Sequence, residues 1–335
     1  MSKMRQEVFE QPAALARTLE SGLRDIPLLR RQMDQRRPRF IILVARGTSD
    51  NAAQFGRYLL EITTGIPVSL AAPSVYTLYK SRLRLKDVLV VGISQSGEST
   101  DTNAYLQQAR KRGAMTVGIT NEPSSRMSRI AEHLIQVVAG KEESVAATKT
   151  YSCQLLALYL LAYALRARVR RKDLLLIPEL VSNALRTDNK IRGLAQQYRS
   201  MRHAVTIGRG LNYANALELG LKLMETCYVV AERFSAADLL HGPIALVEPS
   251  FPVFVFAPNG VTQPSIESLL AKLGSLKART LVIDGKLVRM PRQTTDLYTP
   301  IPFIVPAQLF AAHLAQQKGL DPDHPRTLNK ITRTM

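Results

Sequence analysis

A turn rich in hydroxyl groups follows an apolar run in residues 88–102, VLVVGISQSGESTDT. The pattern predicts a strand that enters a Ser- and Gly-containing turn and a helix that opens at about Thr100. Side-chain donors, the N–H groups of the helix start and the helix dipole could together bind a phosphate. A capped polar turn without a ligand is the alternative. The donor side chains are those of Ser94, Gln95, Ser96 and Ser99.

This turn differs from the known nucleotide-binding loops. It contains no GxGxxG sequence, and no GK[ST] follows its glycine, so a dinucleotide or a nucleoside triphosphate is disfavoured. Neutral hydroxyls suit a single phosphate monoester such as that of a sugar phosphate. A second turn, Arg46-Gly47-Thr48-Ser49, also follows an apolar run and could place Ser49 at the same carboxyl edge of the sheet, where open α/β sheets bind ligands.

Apolar, β-rich runs alternate with helical stretches along the whole chain, which is typical of parallel sheets with crossover helices. The sequence from Ile42 aligns with the sequence from Val205, so that Arg46-Gly47 falls on Arg209-Gly210, and a repeat this long indicates duplicated domains. We therefore predict two α/β units. The predicted strands are residues 40–45, 88–94, 116–120 and 134–138, then 204–208, 252–257 and 280–284.

Composition limits the class of protein. The chain has 335 residues, 46% of them hydrophobic, enough for a large core and two domains. Its formal net charge of +18 indicates a polyanionic partner or small phosphorylated ligands. The densest basic run, residues 166–172 (RARVRRK), is helix-like and lacks aromatic residues, so we interpret it as a solvated face and expect no nucleic-acid partner.

Other features predict the cellular setting. Cys153 and Cys227 are far apart and outside any metal-ligand spacing, which indicates a reducing compartment without disulfides and without structural zinc. The N-terminus has no apolar signal region, and residues 155–165 are too few to span a bilayer, so we interpret them as a buried helix. We expect a cytoplasmic protein without membrane contact.

Several motifs carry a family resemblance. RGTSDN, ISQSGESTDT and EESVAATKTY resemble the sugar-isomerase (SIS) domain. The second half and the tail, DPDHPRTLNKITRTM, are similar to the isomerase half of glutamine:fructose-6-phosphate amidotransferase and, even more, to SIS-type glucosamine-6-phosphate deaminase. The resemblance covers the chain from about Phe40 onward. It implies two tandem SIS domains, each a parallel β-sheet flanked by helices, a homodimer and a sugar-phosphate ligand.

With this resemblance, the predicted domains follow in chain order: an N-terminal helical segment (1–39), a first SIS domain (40–165), a helical linker (166–202), a second SIS domain (203–320) and a tail that closes over the site (321–335). The resemblance places phosphate and sugar contacts on Ser49, the four donors of the turn and the backbone near Val145. It places the catalytic groups on Lys222, Glu225, His241 and Lys330.

The chemistry of such a reaction explains these four residues. Moving a proton between adjacent sugar carbons requires a base, and we predict Glu225 for that role, with Lys222 stabilising the developing negative charge. Taken without the family, these two residues would be an ordinary i,i+3 pair on a helix surface. His241 could open the sugar ring, since imidazole titrates near neutral pH. Lys330 is predicted to act mainly as a cation and lid, and no metal or organic cofactor is expected.

Three positions depart from the amidotransferase pattern: Ser99 replaces Thr, Ala147 replaces a sugar-contacting Ser, and Asn329 replaces Ala. Ser2 stands where a glutaminase nucleophile would be Cys, and no cysteine precedes Cys153, so we expect deamination of glucosamine 6-phosphate rather than glutamine-dependent synthesis. A fructosamine-6-phosphate deglycase or another phosphosugar aldose-ketose isomerase remains an alternative, and a non-catalytic phosphosugar sensor is a second one.

Overall fold

Two parallel β-sheets organise the chain in the computed structural model, which describes residues 1–291, 294–328 and 330. The strand order is β2-β1-β3-β4-β5 in the first sheet and β7-β6-β8-β9 in the second. The strands of the first sheet are β1 (Phe40–Val44), β2 (Val68–Leu70), β3 (Val88–Ile93), β4 (Met115–Thr120) and β5 (His133–Gln136). Those of the second are β6 (His203–Gly208), β7 (Val230–Ser235), β8 (Pro252–Ala257) and β9 (Arg279–Asp284). These sheets confirm the predicted α/β class.

The helices fall between the strands, as crossover connections require. Before and within the first sheet they are α1 (Lys3–Phe9), α2 (Gln11–Arg36), α3 (Thr48–Thr64), α4 (Ser74–Thr77), α5 (Thr100–Lys111) and α6 (Arg126–Ile130). Between the sheets they are α7 (Lys149–Ala164), α8 (Arg171–Leu174), α9 (Ile177–Leu185) and α10 (Asp188–Gln197). The last are α11 (Tyr213–Cys227), α12 (Ala236–Leu240), α13 (Gln263–Ser275) and α14 (Pro300–Gln317), with 3-10 helices at Gly210–Asn212, Pro243–Leu246 and Asp296–Tyr298.

The described residues cluster into two compact units, each with one sheet. The first-sheet unit consists of residues 13–142 and 149–176 together with Lys330, and the second-sheet unit consists of residues 1–12, 143–148 and 177–328. The predicted domain boundaries stay predictions. Of the predicted tail, Asn329 and residues 331–335 lie outside the described residues.

The central strands of the first sheet are buried on both faces. Every residue of β3 and β4 is buried, which explains why these strands read as continuous apolar runs rather than as alternating patterns. On one face, Val90 of β3 packs in a cluster with Leu106 of α5 and Met127 of α6. Because neither strand has a face exposed to solvent, polar groups that could contact a ligand must lie in the loops that follow the strands.

The apolar segment predicted as a buried helix, residues 155–165, lies in α7 except for its last residue. All residues of α7 except Tyr163 are buried, and Phe55 of α3 meets Tyr159 edge-to-face with ring centroids 5.1 Å apart. Among the helices that the structure describes, none has the length and apolar character to cross a membrane.

The second sheet is packed in the same way. Val205 and Val255 contribute to a core that also contains Leu239 of α12 and Leu269 of α13, whereas α11 packs against α14 as well as against β6 and β7. The correspondence of β1 and α3 with β6 and α11, each pair a strand followed by a helix, confirms the sequence repeat.

Two strands and one connection differ from the sequence prediction. We did not predict β2, which has only three residues, or β7, an edge strand in which Glu232 is exposed and interrupts the apolar pattern. The predicted helix-like character of residues 166–172 is wrong for most of that run. Helix α7 ends at Ala164, and Arg166 has a φ of 58°, a left-handed conformation that stops a helix. The arginines and lysine of the run are exposed, as predicted.

A buried ionic cluster joins three helices of the second-sheet unit. Asp188 of α10 accepts hydrogen bonds from Arg5 of α1 at 2.5 Å, and it lies 2.8 Å from the Nε2 of His313 of α14. Burial opposes ionisation of Asp188, but the hydrogen bonds from Arg5 and His313 outweigh it and lower the pKa of the carboxyl group. Burial lowers the pKa of His313 even though Asp188 acts in the opposite direction.

These shifts predict a loss of stability on acidification. Because the pKa of His313 is lower in the folded protein than its ordinary value of 6.5, the unfolded chain takes up a proton first, and the free energy of unfolding falls as pH drops below that value. The contribution of Asp188 is lost only below its ordinary value of 3.8. In urea unfolding between about pH 7.5 and pH 5.5, His313→Gln should have a shallower pH dependence than wild type, and the exposed control His203→Gln should keep the wild-type slope. Equal slopes in wild type and His313→Gln would contradict this account.

Candidate active site

The carboxyl ends of β1 and β3 form the point where the first sheet reverses its direction of winding. Strand β2 lies on one side of β1, and β3 to β5 follow on the other. Loops that leave two such strands diverge and open a crevice, which is the usual place for ligands in open α/β sheets. The two turns predicted from the sequence, residues 46–49 and 94–99, lie after β1 and β3.

Hydrogen bonds within the second turn hold its shape and leave donors available. The Ser94 Oγ accepts from the Gly97 N–H at 3.2 Å, and the Ser96 Oγ accepts from the Glu98 N–H at 3.2 Å. Ser99 precedes α5 and donates its hydroxyl to Thr102 at 3.0 Å instead of capping the helix. Among the described residues, no acceptor faces the N–H groups of Ser96, Ser99 and Thr100. An anion can therefore accept from them.

Gly97 is required by the geometry of the turn. Its φ is +65°, and a Cβ atom there would lie 2.1 Å from the Ser125 Oγ. The Gly97 carbonyl accepts from the Met127 N–H at 3.0 Å and from the Asn103 Nδ2 at 2.9 Å. These two hydrogen bonds hold the backbone of the turn in place, so its donors need little reorganisation when an anion binds.

A cavity of about 590 Å³ adjoins this turn and is lined by three of the predicted site residues, Gln95, Ser96 and Lys330. At its wall lies Glu142, whose side chain is fully buried. The Glu142 Oε2 accepts from the Gln95 Nε2 at 3.0 Å and from the Lys330 Nζ at 3.3 Å. One carboxylate oxygen therefore positions both a residue of the turn and the lysine of the tail.

We missed Glu142 as a functional residue from the sequence. It begins the EESVAATKTY motif, which carried the family resemblance, but its spacing alone gave it no role. Its Oε1 accepts from the Thr150 N–H at 3.2 Å, so the first turn of α7 helps to hold the carboxylate. Glu142 precedes α7 by several residues in the sequence, so its spacing gave no signal for this contact with the start of the helix, where the helix dipole stabilises negative charge.

Ser49 lies in the first turn of α3 and is buried. Its Oγ accepts from the Gln154 Nε2 at 2.9 Å, and its own hydroxyl proton is left for another acceptor. Nearby, Arg46 pairs with Asp101 of α5 at 2.8 Å. This ion pair fastens the turn after β1 to the helix that follows β3.

The second-sheet unit contains a buried ammonium group between two carboxylates, all on α11. The Lys222 Nζ lies 2.5 Å from the Glu225 Oε2 and 3.5 Å from the Glu218 Oε1. The side chains of Lys222 and Glu218 are 1% and 0% exposed, whereas that of Glu225 is 25% exposed. A buried charge is tolerated only when paired. Glu225 is thus held by a fixed cation and remains accessible to a proton donor or acceptor.

We also missed Glu218. The sequence ELGLKLMET places Glu218, Lys222 and Glu225 at i, i+4 and i+7, which is one face of a helix. Only Lys222 and Glu225 were predicted to take part in the reaction, and without the family resemblance they would be interpreted as a surface ion pair. Burial of Lys222 and Glu218 rules out that interpretation, because the side chains of a surface ion pair are exposed to solvent.

His241 and Val145 also lie in the second-sheet unit. His241 directly follows the last residue of α12 and is exposed, and its imidazole has no hydrogen-bond partner in the part of the chain that the structure describes. The structure places no hydrogen bond between His241 and either Lys222 or Glu225.

The Val145 N–H donates to the Asp323 carbonyl at 3.3 Å. Within the described ranges, no three His, Cys, Asp or Glu side chains are arranged to hold a metal ion.

Comparisons with known proteins agree with this architecture. The SIS domain family matches residues 36–164 and 197–315. The chain is 38% identical to a glutamine-fructose-6-phosphate aminotransferase (isomerizing) of Pyrococcus horikoshii, over 98% of this chain and 57% of that protein. It thus spans little more than half the length of that relative.

Two solved structures show the same fold. One is the C-terminal domain of a glucosamine-fructose-6-phosphate aminotransferase from Francisella tularensis, with a TM-score of 0.85 and 28% identity over 97% of this chain and 98% of that one. The other is a glucosamine-6-phosphate deaminase from Thermotoga maritima, with a TM-score of 0.81 and 25% identity over 99% of this chain and 100% of that one. Since the family match includes both sheets, the chain belongs to the SIS domain family.

Proposed function

We propose that the protein is an isomerising glucosamine-6-phosphate deaminase, which converts glucosamine 6-phosphate and water to fructose 6-phosphate and ammonia. The observation that carries the proposal is the Glu225 carboxylate, 25% exposed and 2.5 Å from the buried Lys222 ammonium. A carboxylate in this position can remove a proton from a substrate carbon and return it, and the adjacent ammonium group can stabilise negative charge. This is the chemistry that isomerisation of an amino sugar requires.

The turn of residues 94–99 is assigned to binding of the sugar phosphate. A phosphate monoester has three strong acceptor oxygens and a charge of about −1.5 to −2 at neutral pH. The N–H groups of Ser96 and Ser99 and the hydroxyls of Ser94 and Ser96 supply matching donors, and Ser96 lines the 590 Å³ cavity. In this proposal Lys330, held by Glu142, adds a cation to the same cavity.

The proposed course begins when His241 assists opening of the pyranose ring. Glu225 then takes the proton from C2 of the open-chain aldehyde, and the electron pair forms an enolamine whose developing charge Lys222 stabilises. Return of the proton to C1 gives the C2 imine. Water adds to C2, and the C–N bond breaks to leave the ketone and ammonia. Carbon, nitrogen and electrons balance without an oxidant or reductant.

The similarity to the Thermotoga deaminase supports this reaction, since all of that chain has a counterpart here. The homodimer implied by the resemblance and the cytoplasmic location predicted from the sequence are part of the same proposal.

A substrate panel tests the proposal and separates it from the alternatives. The protein is incubated with glucosamine 6-phosphate, N-acetylglucosamine 6-phosphate and fructosamine 6-phosphates, and both ammonia and free amine are measured. Ammonia and fructose 6-phosphate from the first substrate are the expected products. Release of an amine from fructosamine 6-phosphates alone would indicate a deglycase, and binding without any release would indicate a sensor. Either result overturns the proposal.

Glu225→Gln should lower kcat for ammonia release by at least about a hundredfold, because the amide cannot accept the proton at neutral pH. Binding of the sugar phosphate, measured by calorimetry, should stay within the wild-type range. The matched control is Glu232→Gln, which changes an exposed carboxylate on β7 and should leave kcat unchanged. Near-wild-type activity of Glu225→Gln would remove Glu225 from the role of base.

Ser96→Ala should raise KM for the sugar phosphate by about tenfold or more, because a hydrogen bond to a charged group is worth about 1.5 to 3 kcal/mol. The circular dichroism spectrum should be unchanged. Ser275→Ala, at an exposed position of α13, is the control and should not alter KM. A KM equal to wild type in Ser96→Ala would exclude the turn from the site.

Lys330→Arg should retain most of the activity. Arginine keeps the positive charge beside Glu142 but cannot form a Schiff base, and deamination starts from a substrate that already contains the nitrogen of the imine. Lys330→Gln, which removes the charge, should be the weaker enzyme. Borohydride reduction with fructose 6-phosphate, followed by mass spectrometry, provides the counter-test: a stoichiometric adduct on Lys330 together with an inactive Lys330→Arg variant would contradict the prediction.

A further inference from the structure

A second cavity, of about 560 Å³, lies in the second-sheet unit at the junction of α9 and α10 and beside the loop that follows β9. None of the residues assigned to the reaction lines it. Its wall contains four cationic side chains, those of Arg186, Lys190, Lys286 and Arg289, together with the polar Asn183 and Thr187.

The cationic side chains of this cavity are uncompensated. No carboxylate lines the cavity, and none of the four cations forms an ion pair with a residue in the described part of the chain. The two acidic residues nearest to the lining residues in sequence, Asp188 and Asp284, form no ion pair with these four cations in the described part of the chain. Asp188 binds Arg5 and His313, and the Asp284 Oδ1 accepts from the N–H groups of Lys286 and Leu287 at 3.0 Å each. Four like charges that face one space repel one another, so an anion there would lower their free energy.

We propose that this cavity binds a small anionic ligand with two phosphate groups. A phosphate group carries about −1.5 to −2 charges at neutral pH, so two of them match the four cations. The volume is within the range of small-ligand sites, about 300 to 1,000 Å³. Thr187 and Lys190 lie at the start of α10, whose N-terminal dipole adds to the positive potential. Leu287 and Met290 supply an apolar wall for the rest of the ligand.

A small ligand is favoured over a nucleic acid. The cavity has no aromatic lining residue on which a base could stack, and proteins that bind single strands combine their basic grooves with such residues. The proposed reaction and this cavity use different residues: the assigned phosphate turn belongs to the other unit, and none of the proposed catalytic residues lines the cavity.

Calorimetric titration with inorganic pyrophosphate tests the proposal. The double variant Arg186→Gln/Arg289→Gln should raise the Kd for pyrophosphate by at least about tenfold, because each lost charge-assisted hydrogen bond accounts for about a factor of ten. The control is Arg168→Gln/Lys272→Gln, which removes two exposed charges outside the cavity and should raise the Kd by less than about threefold. Inorganic monophosphate should bind the wild-type cavity more weakly than pyrophosphate does.

Two further arms separate the possible outcomes. Ser96→Ala should leave pyrophosphate binding to this cavity intact. The cavity proposal can therefore be tested even if the proposed deaminase activity is not found. A fluorescent single-stranded oligonucleotide should not compete with pyrophosphate. Equal Kd values for the cavity variant and the control variant would overturn the proposal, and so would an oligonucleotide that binds more tightly than pyrophosphate through Arg186 and Arg289.

Discussion

Complete burial of the central parallel strands is the constraint on which the rest of the molecule depends. Strands β3 and β4 expose no residue on either face, so the chain can place polar groups only where these strands end. The carboxyl ends point in one direction because the sheet is parallel. The hydroxyl turn after β3, the Arg46–Asp101 pair after β1 and the cavity beside β4 and β5 follow from that arrangement.

Buried charges then determine the fine geometry. Glu142 and Lys222 are both enclosed, and each is held by groups of opposite charge or by hydrogen-bond donors. Removing one partner of a buried pair costs about 3 to 5 kcal/mol, so these side chains have little freedom to adopt other positions. Enclosure of Lys222 is also what gives Glu225 a fixed cation while its own carboxylate stays partly open. The Lys222 ammonium group is thus part of the buried ionic core and also of the proposed proton transfer.

Much of the fold could be predicted from the sequence because apolar runs report burial directly. The strands from Phe40, Val88 and Pro252 were predicted within one or two residues, and α5 begins at Thr100 as expected. The missed elements are those whose stability comes from neighbours: β2 is too short to show a pattern, and β7 carries exposed charge at a sheet edge. Glu142 and Glu218 were missed for a related reason, since the spacing of a carboxylate does not reveal whether the folded chain encloses it.

The shared carboxylate oxygen of Glu142 has a thermodynamic consequence. Because Gln95 of the turn and Lys330 of the tail both donate to the same atom, any ligand that changes the hydrogen bonding of Gln95 also changes the free energy of holding Lys330. Linkage requires the reverse effect to be equal in size. The Lys330–Glu142 contact and occupancy of the turn are therefore coupled equilibria. The factor by which a ligand in the turn changes the stability of that contact equals the factor by which the contact changes the affinity for the ligand.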